Sequence, residues 1–176
     1  MITQTLYTIG HSNRSTDEFL QLLQSQNIQI LVDIRSHPYS RRYPQFSQDE
    51  LRVLLENNGI TYHLAGRHFG GKRKSNRVSQ HRALEKDSLR AFADYMDGDE
   101  FKRAANQLMD LSSKAPTVIM CAEKLPEQCH RILISDYLIL QNVDVIHLLG
   151  EGNTQPHFLS SNARRETQSL IYDREI

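Results

Sequence analysis

Ile28-Gln29-Ile30-Leu31-Val32-Asp33-Ile34 is a near-continuous apolar run, with Gln29 inside it and an acid near its end. Runs of this kind suit a strand buried on both faces of a sheet. A second run, Thr117-Val118-Ile119-Met120-Cys121, follows Pro116 and reads the same way. Between and around these two runs the pattern alternates strand with helix. Leu6-Tyr7-Thr8-Ile9 is rich in β-formers and stops at Gly10. Ser15-Thr16-Asp17-Glu18 has the Ser-x-x-Glu spacing of a capping box, and Phe19, Leu20, Leu22 and Leu23 follow it, so a helix starts there. Ser47-Gln48-Asp49-Glu50 repeats the spacing, with Phe46 and Leu51 placed for a hydrophobic staple and Leu51, Leu54 and Leu55 forming a helical stripe. Asn58-Gly59 ends that helix, and Ile60 to Leu64 reads as a third strand.

From Ala65 to Arg82 periodicity disappears, and Gly66, Gly70, Gly71, Ser75 and Asn76 mark a loop. Helices are expected over Ser88 to Met96 and Glu100 to Leu111. Pro126-Glu127 suits the first turn of a further helix that continues through Ile132 to Leu140. Val143 to Leu149 is the last strand, closed by Gly150-Glu151-Gly152. This alternation argues for an α/β fold: an open, mostly parallel sheet of about five strands with helices on both faces, three-layered and Rossmann-like. The expected organisation is one domain over residues 1–152 with a basic loop at 65–82. A polar extension follows over 153–176, with one helix near Ser161 to Tyr172.

The chain has 176 residues, enough for one domain that needs no disulfide or metal staple. Lys plus Arg and Asp plus Glu both number 21, which excludes a histone-like or polyanion-coating protein but not a local basic patch. The core must be aliphatic, since Trp is absent and hydrophobic residues are 39%. No apolar run approaches the roughly 18 residues of a membrane span. Met1-Ile2-Thr3-Gln4-Thr5 shows neither the charged nor the apolar part of a signal peptide. Two cysteines make no disulfide framework, so the expectation is a cytoplasmic protein with free thiols.

In open parallel sheets ligands bind outside the carboxyl ends of the strands. Ionisable or thiol groups follow nearly every strand here. His11, Ser12 and Asn13 follow the first, as a helix-capping turn or as a cradle for a substrate oxygen or phosphate. Asp33 and Arg35 alternate at the end of the second, so they share a face, either as an internal ion pair or as an anion clamp oriented by its acid. Residues 57–84 contain no Asp or Glu but carry Arg67, Lys72, Arg73, Lys74, Arg77 and Arg82 with three histidines. They read as a solvated loop or an anion-binding flap hinged at Gly70-Gly71. Tyr39, Arg41, Arg42, Tyr43 and Phe46 interleave base and aromatic, a mixture that suits phosphate contact with base stacking. There is no Walker motif and no GxGxxG, so nothing points to a P-loop nucleotidase or a nicotinamide cofactor.

Cys121 ends a buried strand. A thiol placed near helix N-terminal amides and cations becomes a nucleophile, although Cys is also a good small core residue and Glu123 would oppose ionisation. Glu123 is a candidate general acid or base. Cys129-His130-Arg131 falls in the expected first helical turn, where successive side chains diverge by about 100 degrees. That divergence and the Cys-x7-Cys spacing argue against a zinc site built from Cys121, Glu123, Cys129 and His130, and favour Arg131 as an anion clamp.

Thr8-Ile9-Gly10-His11-Ser12-Asn13, Leu31-Val32-Asp33-Ile34-Arg35 with Pro38, Gly70-Gly71, Met120-Cys121-Ala122-Glu123 and Cys129-His130-Arg131 together resemble the prokaryotic family called domain of unknown function 488, over Leu6 to Gly150. The resemblance implies an α/β fold and a cytoplasmic protein, and no particular reaction. A weaker, fold-level resemblance is to the rhodanese superfamily, on a strand ending Asp-x-Arg and a later one ending in Cys. It would imply a Cys carrying a persulfide or attacking a phosphate, although the Cys121-to-Arg131 interval is longer than the usual loop. The expected function is therefore an enzyme, a hydrolase or transferase, acting on an anionic, phosphate-containing substrate, a nucleotide or nucleic acid. Cys121, Glu123 and Asp33 are its catalytic candidates. His11, Ser12, Asn13, Arg35, Arg67, Lys72, Arg73, Lys74, Cys129, His130 and Arg131 are its binding candidates, with no metal or cofactor. The alternatives are a rhodanese-like sulfurtransferase or Cys phosphatase, and a non-catalytic nucleic-acid-binding module.

Overall fold

The computed structural model describes residues 4–74, 78–167 and 169–174. Met1, Ile2 and Thr3 of the leader reading, and Ser75, Asn76 and Arg77 of the basic loop, lie outside the described residues. In chain order the elements are β1 (Thr5–Gly10), α1 (Thr16–Ser25), β2 (Ile30–Asp33), α2 (Gln48–Glu56), β3 (Thr61–Leu64), α3 (Gly66–Phe69), α4 (Asp87–Met96), α5 (Asp99–Lys114), β4 (Thr117–Cys121), α6 (Arg131–Leu140), β5 (Asp144–Gly150), β6 (Asn153–Pro156), β7 (Arg164–Arg165) and β8 (Leu170–Ile171). One sheet of six strands runs in the order β3-β2-β4-β1-β5-β6, all parallel except β6. Helices cover both faces, giving a three-layer α/β fold.

The pleat explains how the apolar runs serve two cores. Every residue of β4 is buried. Val118 and Met120 pack with Phe19, Leu22 and Leu23 of α1 and Leu51 and Leu55 of α2. Ile119 and Cys121 point the other way, into a core with α4, α5 and α6. A strand apolar at every position is what a sheet covered on both sides requires.

Capping decides some boundaries and fails to decide others. Ser15 Oγ accepts the Glu18 N–H at 3.1 Å and starts α1 as its spacing predicts. Ser47 also stands at a helix start, but its Oγ accepts the Ser40 N–H at 3.1 Å and makes no bond to α2, so the second capping box is not formed. The helix expected from Pro126 is also corrected. Pro126–Gln128 is a separate 3-10 turn, Cys129 is extended at φ −146° and ψ 174°, and α6 begins only at Arg131. Extended Cys129 places its own sulfur 3.3 Å from the Arg131 N–H, where it satisfies a donor at the start of α6.

Two further expectations change. The stretch from Ala65 contains the short helix α3 before the loop begins. Among the described residues the tail forms no helix near Ser161 to Tyr172. Asn153–Pro156 joins the sheet beside β5, and β7 and β8 pair as an antiparallel ribbon. Arg164 grips Asp173 across the ribbon with Nε and Nη2 at 3.1 and 3.0 Å. Leu170 and Tyr172, two residues apart, are buried with Ala163 against α4–α6, a strand period rather than a helical one. Among the described residues no helix is long and apolar enough to cross a membrane.

One fully buried cation ties these parts together. Arg131 donates Nη1–H to Thr8 Oγ1 at 2.9 Å and Nη2–H to the Glu123 and Lys124 carbonyls at 3.0 Å each. Gly10 beside it has no room for a side chain, since a Cβ there would lie 1.6 Å from the Glu123 carbonyl oxygen. Substituting Arg131→Leu leaves up to three acceptors without donors, each costing about 1–3 kcal/mol if it stays buried. We expect urea unfolding to lose about 3 kcal/mol of stability, the sum for three unpaired groups at the low end of that range. A loss below about 1 kcal/mol would mean that water replaces the guanidinium without penalty.

Candidate functional site

The chain leaves β1 through α1 on one face of the sheet and leaves β4 through α6 on the other. Adjacent strands whose connections diverge in this way open a crevice at their carboxyl ends. The backbone ladder continues past both strands, with His11 N–H donating to Cys121 O at 2.9 Å and Ser12 N–H to Ala122 O at 3.0 Å. Beyond it lies a hollow of about 610 Å³. His11 and Ser12 after β1, Arg35 and Ser36 after β2, and Ala122, Glu123 and Lys124 after β4 line it. Lys72, Gln128 and the segment carrying Tyr39, Arg42 and Tyr43 complete it.

Asp33 and Arg35 form the internal ion pair that their shared face allows. Arg35 donates Nε–H and Nη2–H to the two Asp33 oxygens at 2.9 and 2.8 Å, and its backbone N–H also reaches Oδ1. Tyr62 donates its hydroxyl to Asp33 Oδ2 at 2.5 Å. Burial and the Asp33 charge push the Tyr62 hydroxyl pKa well above its usual range, so it stays a donor. Asp33 is fully buried and saturated with donors, so in this arrangement it positions Arg35 and has no exposed oxygen for a substrate. Arg35 is 7% exposed and lines the hollow, and its Nη1 has no partner among the described residues.

His11 is buried and stacked on Phe46, with ring centroids 4.7 Å apart. Its Nδ1–H donates to the Ser12 carbonyl at 2.9 Å, which leaves Nε2 as the acceptor of the neutral ring. Burial lowers its pKa to about 4, the Ser12 carbonyl opposes this, and the Arg35 charge adds to it. His11 is therefore uncharged at neutral pH and suited to a ligand hydroxyl rather than to an anionic oxygen. Ser12 adopts φ 51° and lines the hollow, whereas Asn13 is exposed outside it.

The basic loop divides. Lys72 joins the hollow, its backbone N–H held by Ser36 Oγ at 3.1 Å. Arg73 lies 3.7 Å over the Tyr95 ring and donates to the Gly70 and Arg67 carbonyls, so it secures the loop. With Lys74 and Arg82 it lines a different hollow, of about 640 Å³, and Arg67 lines neither. The Gly70-Gly71 hinge is replaced by close packing. A Cβ on Gly70 would meet Gly66 O and Ser36 Oγ at 2.3 Å, and one on Gly71 would meet His130 Nδ1 at 2.7 Å.

The strand pleat separates the remaining candidates from the hollow. Asp33 lies in register with Met120, on the α1–α2 face, and Cys121 one residue later faces α4–α6. Cys121 is 3% exposed, and its sulfur lies 3.1 Å from Cys129 Sγ and 3.5 Å from the Glu123 carbonyl. The hydrogen bond with Cys129 and burial raise its pKa well above that of a free thiol, against the Arg131 charge. A persulfide- or phosphate-holding loop directs N–H groups at such a sulfur, whereas here a carbonyl faces it. His130 packs on Phe92, its Nε2 is buried without a partner among the described residues, and burial lowers its pKa to about 4. Arg131 is held at Nη1 and Nη2 by the bonds described above, and its buried Nε has no partner among the described residues. Cys121, Cys129, His130 and Arg131 thus stand behind the hollow, and Arg35 and Glu123 stand in it. Tyr62, Lys124 and Gln128 were not evident in the sequence; Tyr62 needed only its register opposite Leu31, which turns it to the Asp33 face.

One His–carboxylate cluster resembles a metal site. His81, Asp94 and Asp97 bring ligand atoms within 4.8 Å of one another. His81 Nδ1 accepts the Tyr172 N–H at 3.1 Å, so Nε2 carries the proton and donates to Asp97 Oδ2 at 3.0 Å. The neutral imidazole has no lone pair left for a cation, and the cluster reads as a hydrogen-bonded clasp.

A mostly parallel sheet with a hollow at its switch point defines an α/β protein of the open-sheet class. Within that class the chain belongs to the family described as Domain of unknown function DUF488, matched over residues 15–138. The match spans Asp33, Arg35, Glu123 and the Cys121–Arg131 segment, and leaves out β1 with His11. No curated protein and no solved structure matches the chain.

His11 gives a pH prediction. Between pH 6.5 and about 4 the unfolded chain protonates this imidazole and the folded chain does not, so stability falls as pH falls through that window and is level above it. His11→Phe keeps the stack on Phe46 and removes the proton. The difference in urea midpoint between the two proteins should therefore shift steadily in favour of the variant from pH 6.5 down to 4.5. A difference that stays constant with pH would contradict a neutral, buried His11.

Proposed function

We propose that the hollow binds a phosphate-bearing ligand carrying a planar base, a nucleotide or a segment of nucleic acid. The observation that carries this reading is Arg35. Two of its nitrogens are fixed on Asp33, the buried Nη1 has no partner among the described residues, and the residue lines the hollow. A buried charged donor without a partner is costly, and a ligand oxygen that reached it would relieve that cost. Asp33 neutralises Arg35, and Arg42, Lys72 and Lys124 add three further lining cations against one carboxylate, Glu123. That imbalance favours anions in a protein whose overall charge is zero. Tyr39, 72% exposed, and Tyr43, with Arg42 5.6 Å from its ring centre, offer faces on which a base stacks.

In its enzymatic form, as a hydrolase or transferase, the reading assigns proton transfer to Glu123, which is exposed and lines the hollow. His11 Nε2 then accepts a hydroxyl of the ligand. Cys121 has no part in it, because the sulfur faces the opposite layer. The sulfurtransferase and Cys-phosphatase alternatives accordingly draw no support from the geometry.

Calorimetry at low salt tests the reading with inorganic pyrophosphate, a nucleoside diphosphate and a short single-stranded oligonucleotide. We expect binding that weakens with salt. Arg42→Ala and Lys72→Ala should each weaken it about tenfold, corresponding to about 1.4 kcal/mol. Tyr39→Ala should weaken binding of the base-bearing probes and leave pyrophosphate unchanged. Glu123→Gln should keep binding and abolish any turnover of the bound probe. Binding without turnover in the unsubstituted protein would leave a non-catalytic nucleic-acid or nucleotide module. No binding by any probe would end the proposal.

A further inference from the structure

Cys121 and Cys129 lie on the α4–α6 side of the sheet, and the reading of the hollow uses neither. Their sulfurs are 3.1 Å apart. A covalent S–S bond is about 2.05 Å, so bonding requires an approach of about 1 Å, within reach of side-chain rotation and small backbone adjustment. The two thiols are unequal. Cys121 is anchored at the end of β4 and shielded from solvent. Cys129 is half-buried, in the extended residue between the Pro126–Gln128 turn and α6. Its sulfur accepts the Arg131 N–H and lies against the Cys121 sulfur. Cys121's hydrogen bond, the Arg131 charge and the Arg131 N–H together outweigh burial and bring the Cys129 pKa to about 7. A thiol in that range is about half ionised at neutral pH and still strongly nucleophilic.

We propose that Cys121 and Cys129 form a reversible dithiol–disulfide centre oxidised by hydroperoxides, with Cys129 the attacking thiolate and Cys121 the resolving thiol. Cys129 thiolate attacks one oxygen of hydrogen peroxide. An S–O bond forms, the O–O bond breaks and hydroxide leaves, giving the sulfenic acid. Cys121 sulfur then attacks Cys129 sulfur. The S–S bond forms, the S–O bond breaks, and the departing hydroxide takes the Cys121 proton as water. Across both steps the dithiol loses two electrons and two protons, and one peroxide becomes two waters. A small-molecule dithiol reverses the change by exchange. No metal competes for the pair: among the described residues the two sulfurs gather no third His, Cys, Asp or Glu ligand atom into a cluster. The proposal does not depend on what the hollow binds.

The test treats the folded full chain at neutral pH with one equivalent of hydrogen peroxide, then alkylates it under denaturing conditions and digests it with trypsin. Lys124 lies between the cysteines, so cleavage there separates residues 115–124 from 125–131 unless a disulfide joins them. We expect the joined pair in place of both alkylated peptides, in a monomer, with dithiothreitol restoring both thiols. Cys121→Ser should stop at a Cys129 sulfenic acid that dimedone traps, and Cys129→Ser should leave Cys121 unmodified. Oxygen retained on Cys129 of the unsubstituted protein with Cys121 still alkylated, a disulfide between two chains, or two unreacted thiols would each overturn the proposal. The unsubstituted protein decides the matter even if a variant fails to fold.

Discussion

The buried guanidinium of Arg131 lies where the two halves of the fold must be held together. Removing such a cation from water costs several kcal/mol, and among the described residues no carboxylate touches it to offset that cost. Its compensation is a set of oriented dipoles. Two carbonyls of the turn after β4 point at Nη2, and Thr8 Oγ1 of β1 points at Nη1. The charge then propagates. Thr8 Oγ1, accepting from Arg131, lies 2.6 Å from His147 Nδ1, His147 Nε2 lies 2.8 Å from His157 Nδ1, and His157 Nε2 lies 2.7 Å from Asp136 Oδ1. Neutral imidazoles satisfy this order with every donor pointing the same way, from the cation towards the anion. Burial, His157 and Arg131 lower the His147 pKa to about 3, which keeps that ring neutral. Tyr172 closes the line by donating to Asp136 Oδ2 at 2.9 Å. The strand-end turn beside the hollow and the C-terminal ribbon are thus two ends of one polar line through the molecule, and α6 carries both terminal charges.

The same geometry explains why residues adjacent in sequence take unrelated roles. A parallel sheet covered on both faces has two sides at its carboxyl edge, and the pleat assigns each residue to one of them. Asp33 with Arg35 falls on the α1–α2 side with Phe46 and His11. Cys121 falls on the α4–α6 side with Thr8 and Arg131. A shift of one residue in the β2–β4 register would exchange them. Two separate chemistries, a cation-lined hollow and a thiol pair, therefore share one edge without sharing a cavity. Glu123 and Lys124 mediate between them: their side chains line the hollow while their carbonyls turn inward to Arg131.

How much of this the sequence carried follows from the range of each interaction. Strands buried on both faces announce themselves locally, so the runs ending at Asp33 and Cys121 marked the sheet and its layers. The Ser15 cap is likewise local. Ser47 is not, because its competitor, the Ser40 N–H, belongs to a loop whose path depends on Phe46 packing beneath it. The tail read as a helix because its polar composition hid a period of two at Leu170 and Tyr172, and the surface those residues bury against is built by α4–α6 far upstream. At the edge, residue types were legible but sides were not. Asp33, Arg35, Glu123 and Arg131 all stand out by composition, and parity relative to a distant strand decides which of them meet.

Arg35 illustrates why a fixed guanidinium suits such an edge better than a flexible ammonium. Asp33 engages it at two nitrogens in the planar fork that only arginine offers, and Tyr62 fixes the acid in turn. The pair is neutral as a unit, so it adds direction rather than net charge. Net charge comes from Arg42, Lys72 and Lys124, each on a different connection. Ser36 anchors the Lys72 backbone next to Arg35, and Arg131 anchors the Lys124 backbone from the other side. An anion in the hollow would therefore be drawn by mobile charges on anchored backbones and oriented by a rigid donor. Strand ends supply the rigid part and loops supply the attraction, which is the division that an open parallel sheet imposes on any site at its edge.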